Sequence, residues 1–160
     1  MGFQLNGDEK FYCMGEKFLG LELSGKCTKF WNTDVMGDFP PDVFINGRPD
    51  PAYVSIPYLI LRTTHGWVGI LVNNPGAVMM DTGAAFEVEG FMATGADNRY
   101  LIIGSDHGQP DLYFLFADSL PQLTRKFQTL VGTTPLPPVW SLGYHQCRWG
   151  YTSAKELEEY

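Results

Sequence analysis

Short apolar runs, punctuated by glycine and proline, set the tightest limit on what this chain can fold into. Turn signals recur roughly every 8–12 residues, the spacing of an antiparallel sandwich rather than of βαβ units. Residues 11–14 and 28–31 read as short strands, with glycine-rich turns over 15–25 between them. Residues 53–62 and 67–72 read as the two arms of a hairpin around Thr63-Thr64-His65-Gly66. Pro57 inside the first arm points to an edge position or a bulge. Further strands are expected over 77–81, 85–88, 91–93, 100–103 and 111–116. The expected class is therefore mainly β, an antiparallel β-sandwich.

One helix interrupts the pattern. Ser119 is placed to cap it and Pro121 is tolerated in its first turn. Leu120, Leu123, Phe127 and Leu130 then recur at helical spacing, and Gly132 ends it, so a linking helix is expected over 119–131. The division follows: 1–134 a sandwich with its linking helix, 135–160 a proline-rich hinge and a new unit. That unit reads as a strand around 142–149. Ser153-Ala154-Lys155-Glu156 then has the form of a capping box and begins a second helix. A strand and a short helix with nothing after them read as the first βα unit of a further domain, so the expectation is a fragment of a larger protein.

Composition narrows the partners. Hydrophobic residues at 44% and charged residues at 18% supply a core and argue against disorder. A net charge of -7 repels nucleic acid and anionic membrane, leaving neutral ligands such as sugars, peptides and small apolar molecules. No run approaches the ~20 apolar residues of a membrane-spanning helix. Cys13, Cys27 and Cys147 are odd in number and widely spaced, with no CxxC pair, so neither a disulfide framework nor a zinc site is expected. Unpaired thiols fit a reducing compartment such as the cytoplasm. No cofactor or metal is implied.

The long segment between Thr33 and Pro51 breaks the strand rhythm. It carries Asp34, Asp38, Asp42 and Asp50, four prolines counting Pro51, and no periodicity. Loops of this length in a compact domain are uncommon and often functional.

Five segments, in order, carry a family resemblance. Phe11-Tyr12-Cys13-Met14-Gly15-Glu16 is similar to the F-Y-G-L-G-E motif of glycoside hydrolase family 31, the α-glucosidase and α-xylosidase family. Phe30-Trp31-Asn32-Thr33-Asp34 resembles its LWNTD segment, and Tyr53-Val54-Ser55-Ile56-Pro57-Tyr58 its YxSIPF strand. Trp67-Val68-Gly69-Ile70-Leu71-Val72-Asn73-Asn74 resembles YGIFFDN. The run from Pro135 through Trp140, Tyr144, His145 and Cys147 to Trp149 resembles PPLPPRWALGYHQCRW. Cys13-Met14 stands where the family has Gly-Leu, and reads as a packing variation.

The resemblance implies a galactose-mutarotase-like sandwich, then the first strand and helix of a (β/α)8 barrel, whose chemistry sits at the C-terminal ends of its strands. It implies a retaining glycosidase with two aspartates roughly 5–5.5 Å apart. Neither is present here, since no W-x-D-M-N segment occurs, so this chain has no catalytic residue of its own and is expected to be inactive alone. Its partners would be a carbohydrate substrate and the barrel. The exposed barrel strand would also favour self-association.

Two residues are candidate substrate contacts. Asp34 closes a strand and opens the acidic loop, and the resemblance implies that an aspartate near here accepts hydrogen bonds from sugar hydroxyls. An Asx-turn is the structural alternative. Arg148, Trp149 and Tyr151 would lie at the end of the first barrel strand, where an aromatic ring can stack on a sugar, and Tyr151 is the candidate among them. Trp140, Tyr144 and Trp149 read instead as core, His145 as a hydrogen-bonded core histidine, and His65 and His107 as solvated turn residues. Asp81, Glu87 and Glu89 read as solvated charges. The competing function is a stand-alone carbohydrate-binding sandwich with an aromatic platform and no catalysis.

Overall fold

A computed structural model describes residues 1–33, 44–45, 48–83, 100–146 and 150–159. The strands among them are β1 (Gly2–Gln4), β2 (Lys10–Cys13), β3 (Cys27–Phe30), β4 (Phe44–Ile45), β5 (Arg48–Pro49), β6 (Tyr58–Thr63), β7 (Gly66–Asn73), β8 (Val78–Asp81), β9 (Tyr100–Ser105) and β10 (Asp111–Ala117). One four-stranded antiparallel sheet has the order β1-β9-β8-β3 and a second the order β10-β7-β6-β2. Among the described residues β4 and β5 pair with each other alone, a small ladder inside the stretch read as an aperiodic loop.

The hairpin shows why the strands form. Thr63 pairs with Gly66 across the two-residue turn Thr64-His65, and the register runs back to Tyr58 opposite Leu71. Side chains alternate at period two along a strand. Leu59, Leu61, Ile70 and Val72 therefore face the other sheet, where they meet Phe30, Val78, Met80, Leu101 and Ile103 in the main core. Tyr58, Ile60 and Leu71 face the other way and pack with Leu123 and Phe127 of α1 (Leu120–Val131). Tyr58 stacks on Phe127 with ring centres 4.0 Å apart. The helix thus covers the outer face of the second sheet, so β6 is buried on both sides.

Several expectations shift. The first hairpin arm begins at Tyr58, not at residue 53, so Pro57 precedes the strand and its carbonyl accepts from Val72 N. β1 is an added strand, too short at three residues to show periodicity, and is held by pairing with β9. Ser119 sits at the helix N-cap without a side-chain cap bond, while Gly132 at φ 90 ends the helix as expected. Asp81 is not a solvated charge: it is 1% exposed, and its carboxylate accepts from Gly83 N at 2.9 Å. Strand alternation misplaced it because β8 lies inside its sheet and is buried on both faces. The strands expected over 85–88 and 91–93 lie outside the described residues.

Cys13 and Met14 are more than a packing variation. Both have positive φ, 76° and 70°, followed by Gly15 at 70°. A residue with a Cβ is disfavoured there, by roughly 1–2 kcal/mol, which is the physical reason a glycine suits the first of these positions. Met14 is held because its side chain is fully buried; Cys13 is exposed.

The C-terminal part departs most. After residues 135–138 the chain makes a single 3-10 turn, Val139–Leu142, and residues 143–146 form no strand. Trp140 and Tyr144 are 77% and 86% exposed instead of buried. His145 is exposed as well, its Nε2 lying 2.6 Å from Ser141 O. A strand exists only where it pairs, and residues 143–146 pair with no strand among the described residues. α2 (Ala154–Glu158) forms at the capping box: Ser153 Oγ accepts from Glu156 N, while the Glu156 carboxylate turns to Thr152 N and Oγ1. No helix among the described residues is long and apolar enough to cross a membrane.

Candidate functional site

The acidic segment follows β3 in the chain, and among the described residues the outer edge of β3 is met by side chains rather than by another strand. β3 is the last strand of its sheet, so its outward backbone groups need partners. Asp50 Oδ2 accepts from Lys29 N at 3.1 Å, and Lys17 Nζ donates to Lys29 O at 2.5 Å. Lys17 Nζ also meets Asp50 Oδ1 at 2.6 Å and sits 4.5 Å above the Phe30 ring. Both side chains are almost wholly buried, at 4% and 1% exposure. Burial pushes the Lys17 ammonium below its ordinary value, and the Asp50 carboxylate opposes that shift. Such a pair contributes little net stability, yet leaving one partner alone costs several kcal/mol, so it fixes position.

Beyond β3 the pinning continues. Thr33 N donates to Ala52 O at 3.0 Å, Ser55 N to Asn32 Oδ1 at 3.0 Å, and Val54 N to Glu16 Oε2 at 3.0 Å. Residues 31–33 and 50–55 are thereby drawn together as the root of the acidic segment. Asp34 follows Thr33 directly and lies outside the described residues, as do Arg148 and Trp149. Tyr151 is half-buried, and its hydroxyl is enclosed without a hydrogen-bond partner.

Beside the root lies an open cleft of about 330 Å3, lined by Phe30, Trp31, Asn32, Ser55, Pro57 and Asn74 among others. Trp31 turns out of the sheet and is 51% exposed. Asn74 forms a fixed wall: its Oδ1 accepts from Gly76 N at 2.7 Å and its Nδ2 donates to His107 O at 2.9 Å. Ser55 Oγ is buried with no partner.

The interior thiol is inert by comparison. Burial first, then the charges of Asp81 and Asp50, push Cys27 up to about 12, so it is protonated at neutral pH and a poor nucleophile. Among the described residues no group of three His, Cys, Asp or Glu side chains could hold a metal ion.

Lys17 and Asp50 carried no sequence signal as a pair, being 33 residues apart. Asn32 and Glu16 stood within the matched motifs and could have been singled out as anchors of the root.

Comparison with known proteins gives these features a family. Residues 1–81 match the glycosyl hydrolase 31 N-terminal galactose mutarotase-like domain, and residues 134–160 the TIM-barrel domain of glycosyl hydrolases family 31. Alpha-glucosidase 2 of Bacillus thermoamyloliquefaciens is 32% identical over 152 residues, covering 94% of this chain and 17% of that protein. Human neutral alpha-glucosidase AB is 27% identical over 175 residues, covering 99% and 18%. The structure of a Flavobacterium johnsoniae family 31 dextranase in complex with isomaltotriose superposes with a TM-score of 0.74 at 29% identity, over 99% of this chain and 17% of that one. The chain thus spans under a fifth of the length of the curated relatives it matches. With half its length matched by the sandwich domain, and the barrel's opening segment matched after it, this chain belongs to glycosyl hydrolase family 31.

Proposed function

We propose that this chain is the N-terminal region of a retaining α-glycosidase acting on α-linked glucose or a related sugar, and that its role is positional. The carrying observation is the pinned root: residues 31–33 and 50–55 are locked together around a buried ion pair, a rigid base from which Asp34 can be presented to a substrate. The α-glucosidase and dextranase relatives support the sugar class. Asp34 accepts hydrogen bonds from sugar hydroxyls in this reading, since a carboxylate takes two directed bonds from neighbouring hydroxyls. Tyr151 contributes a ring face and a hydroxyl that lacks a partner in the fold. The 135–160 segment is the entry into the barrel, and the barrel is the partner that covers its exposed apolar side chains. The match of residues 134–160 to the barrel domain favours this over a stand-alone binding module.

The two catalytic carboxylates are then supplied by the barrel, not by these 160 residues. Pure protein should release no nitrophenol from aryl α-glucoside or α-xyloside. Turnover above buffer that survives repurification would refute the positional role.

A further inference from the structure

The cleft beside the root has the chemistry of a sugar site in its own right. An exposed indole supplies a flat apolar face, and sugar rings present C–H faces that pack on such surfaces. Trp31 projects at the cleft, half exposed, directly after the buried Phe30. The polar groups around it are arranged, not solvated at random. Asn32 commits its Oδ1 to Ser55 N, which leaves its Nδ2 without an acceptor among the described residues. Ser55 Oγ is enclosed with no partner of its own, a state that ordinarily costs about 1–3 kcal/mol and calls for an explanation. Asn74 holds the opposite wall rigid through Gly76 and His107. At about 330 Å3 the space is at the small end of ligand sites, room for one or two sugar rings.

We propose that this cleft is a separate carbohydrate site for one or two sugar rings: Trp31 stacks on a ring, while Asn32 Nδ2 and Ser55 Oγ hydrogen-bond its hydroxyls. The ligand is neutral: among the described residues no charged side chain lines the cleft, and the chain's net charge of -7 disfavours an anion. Few contacts and an open mouth make it weak, with a Kd of about 1–10 mM. The inference does not depend on Asp34 reaching the substrate, and a glucan already engaged by the enzyme would be held a second time at raised effective concentration.

The test is a titration of the protein with isomaltose and with maltose, following tryptophan fluorescence, with sorbitol as the control polyol. Wild type should give a saturable change for at least one disaccharide and none for sorbitol. Trp31→Ala should abolish it. Ser55→Ala should weaken binding about 3- to 10-fold at an unchanged or higher melting temperature, because that hydroxyl has no partner to lose in the fold. A wild-type signal that does not saturate, or equal affinity in Ser55→Ala and wild type, would overturn the assignment. Either result would leave turnover by the full-length enzyme, and hence the positional role, to be judged separately.

Discussion

The sandwich and the segment after the linking helix are built from similar residues and treat them in opposite ways. Leu59, Met80 and Ile103 are fully buried between the sheets, while Leu136 is 96% exposed and Tyr144 86%. Charges follow the same division: Lys17 and Asp50 meet at 2.6 Å inside the protein, whereas Lys155 and Glu159 meet at 3.8 Å in solvent. Apolar composition alone therefore does not make a core. Burial in the sandwich comes from register, since two antiparallel sheets aim every second side chain at one another. The segment over 135–146 has no such frame among the described residues, and its aromatics stay exposed.

The sharpest way to break this contrast is to remove one partner of each ion pair. Asp50→Ala strands the buried Lys17 ammonium and should cost about 3–5 kcal/mol, read as a lowered denaturation midpoint. Lys155→Ala breaks an exposed i,i+4 pair and should change stability by under about 0.5 kcal/mol. Equal effects would mean that the Lys17–Asp50 pair does not hold the edge of β3.

Apolar truncation makes the same comparison with smaller stakes. Leu59→Ala opens a cavity between the sheets and should cost about 2–5 kcal/mol. The same change at Leu136 should stay within about 0.5 kcal/mol in this chain. A Leu136→Ala loss approaching that of Leu59→Ala would show that the segment is already packed against something.

The smallest expected effect lies at the strained corner of the sandwich. Cys13→Gly relieves a side chain at φ 76 but returns entropy to the unfolded chain, so a net gain of up to about 1 kcal/mol is expected. Met14→Gly relieves a similar strain yet empties a fully buried site, and should destabilise. Thermal melts of the two variants that move the same way would contradict the assignment of strain to Cys13.

Much of the sandwich was legible because its signals are local. The 58–73 hairpin carries its register in period-two alternation and its turn in four residues, and Leu123 and Phe127 mark the face by which α1 packs. The root was not legible, since Lys17 reaches Asp50 only when β3 and the segment after it are folded together. Asp50 read as one more acid of a loop, and Asp81 as a surface charge, because sequence alternation reports one face of a strand and is silent on what covers the other. The aromatic run 139–146 misled for the opposite reason: strand-forming residues make a strand only where they pair with one, and this run pairs with none among the described residues. Trp31, Asn32 and Ser55 lay inside matched motifs, but their convergence on one cleft is a tertiary fact.

The central claim is that this sandwich, through its pinned root, supplies a substrate contact from Asp34 to a reaction carried out elsewhere in the enzyme. The most direct measurement is kcat/KM of Asp34→Asn in the full-length enzyme, alongside its melting temperature. Asparagine preserves an Asx-turn but removes the charge that strengthens hydrogen bonds from sugar hydroxyls. Loss of about 1.5–3 kcal/mol in transition-state binding, roughly a ten- to hundred-fold fall in kcat/KM, at an unchanged melting temperature is the expected result. Unchanged kinetics would contradict the claim and leave Asp34 a turn former.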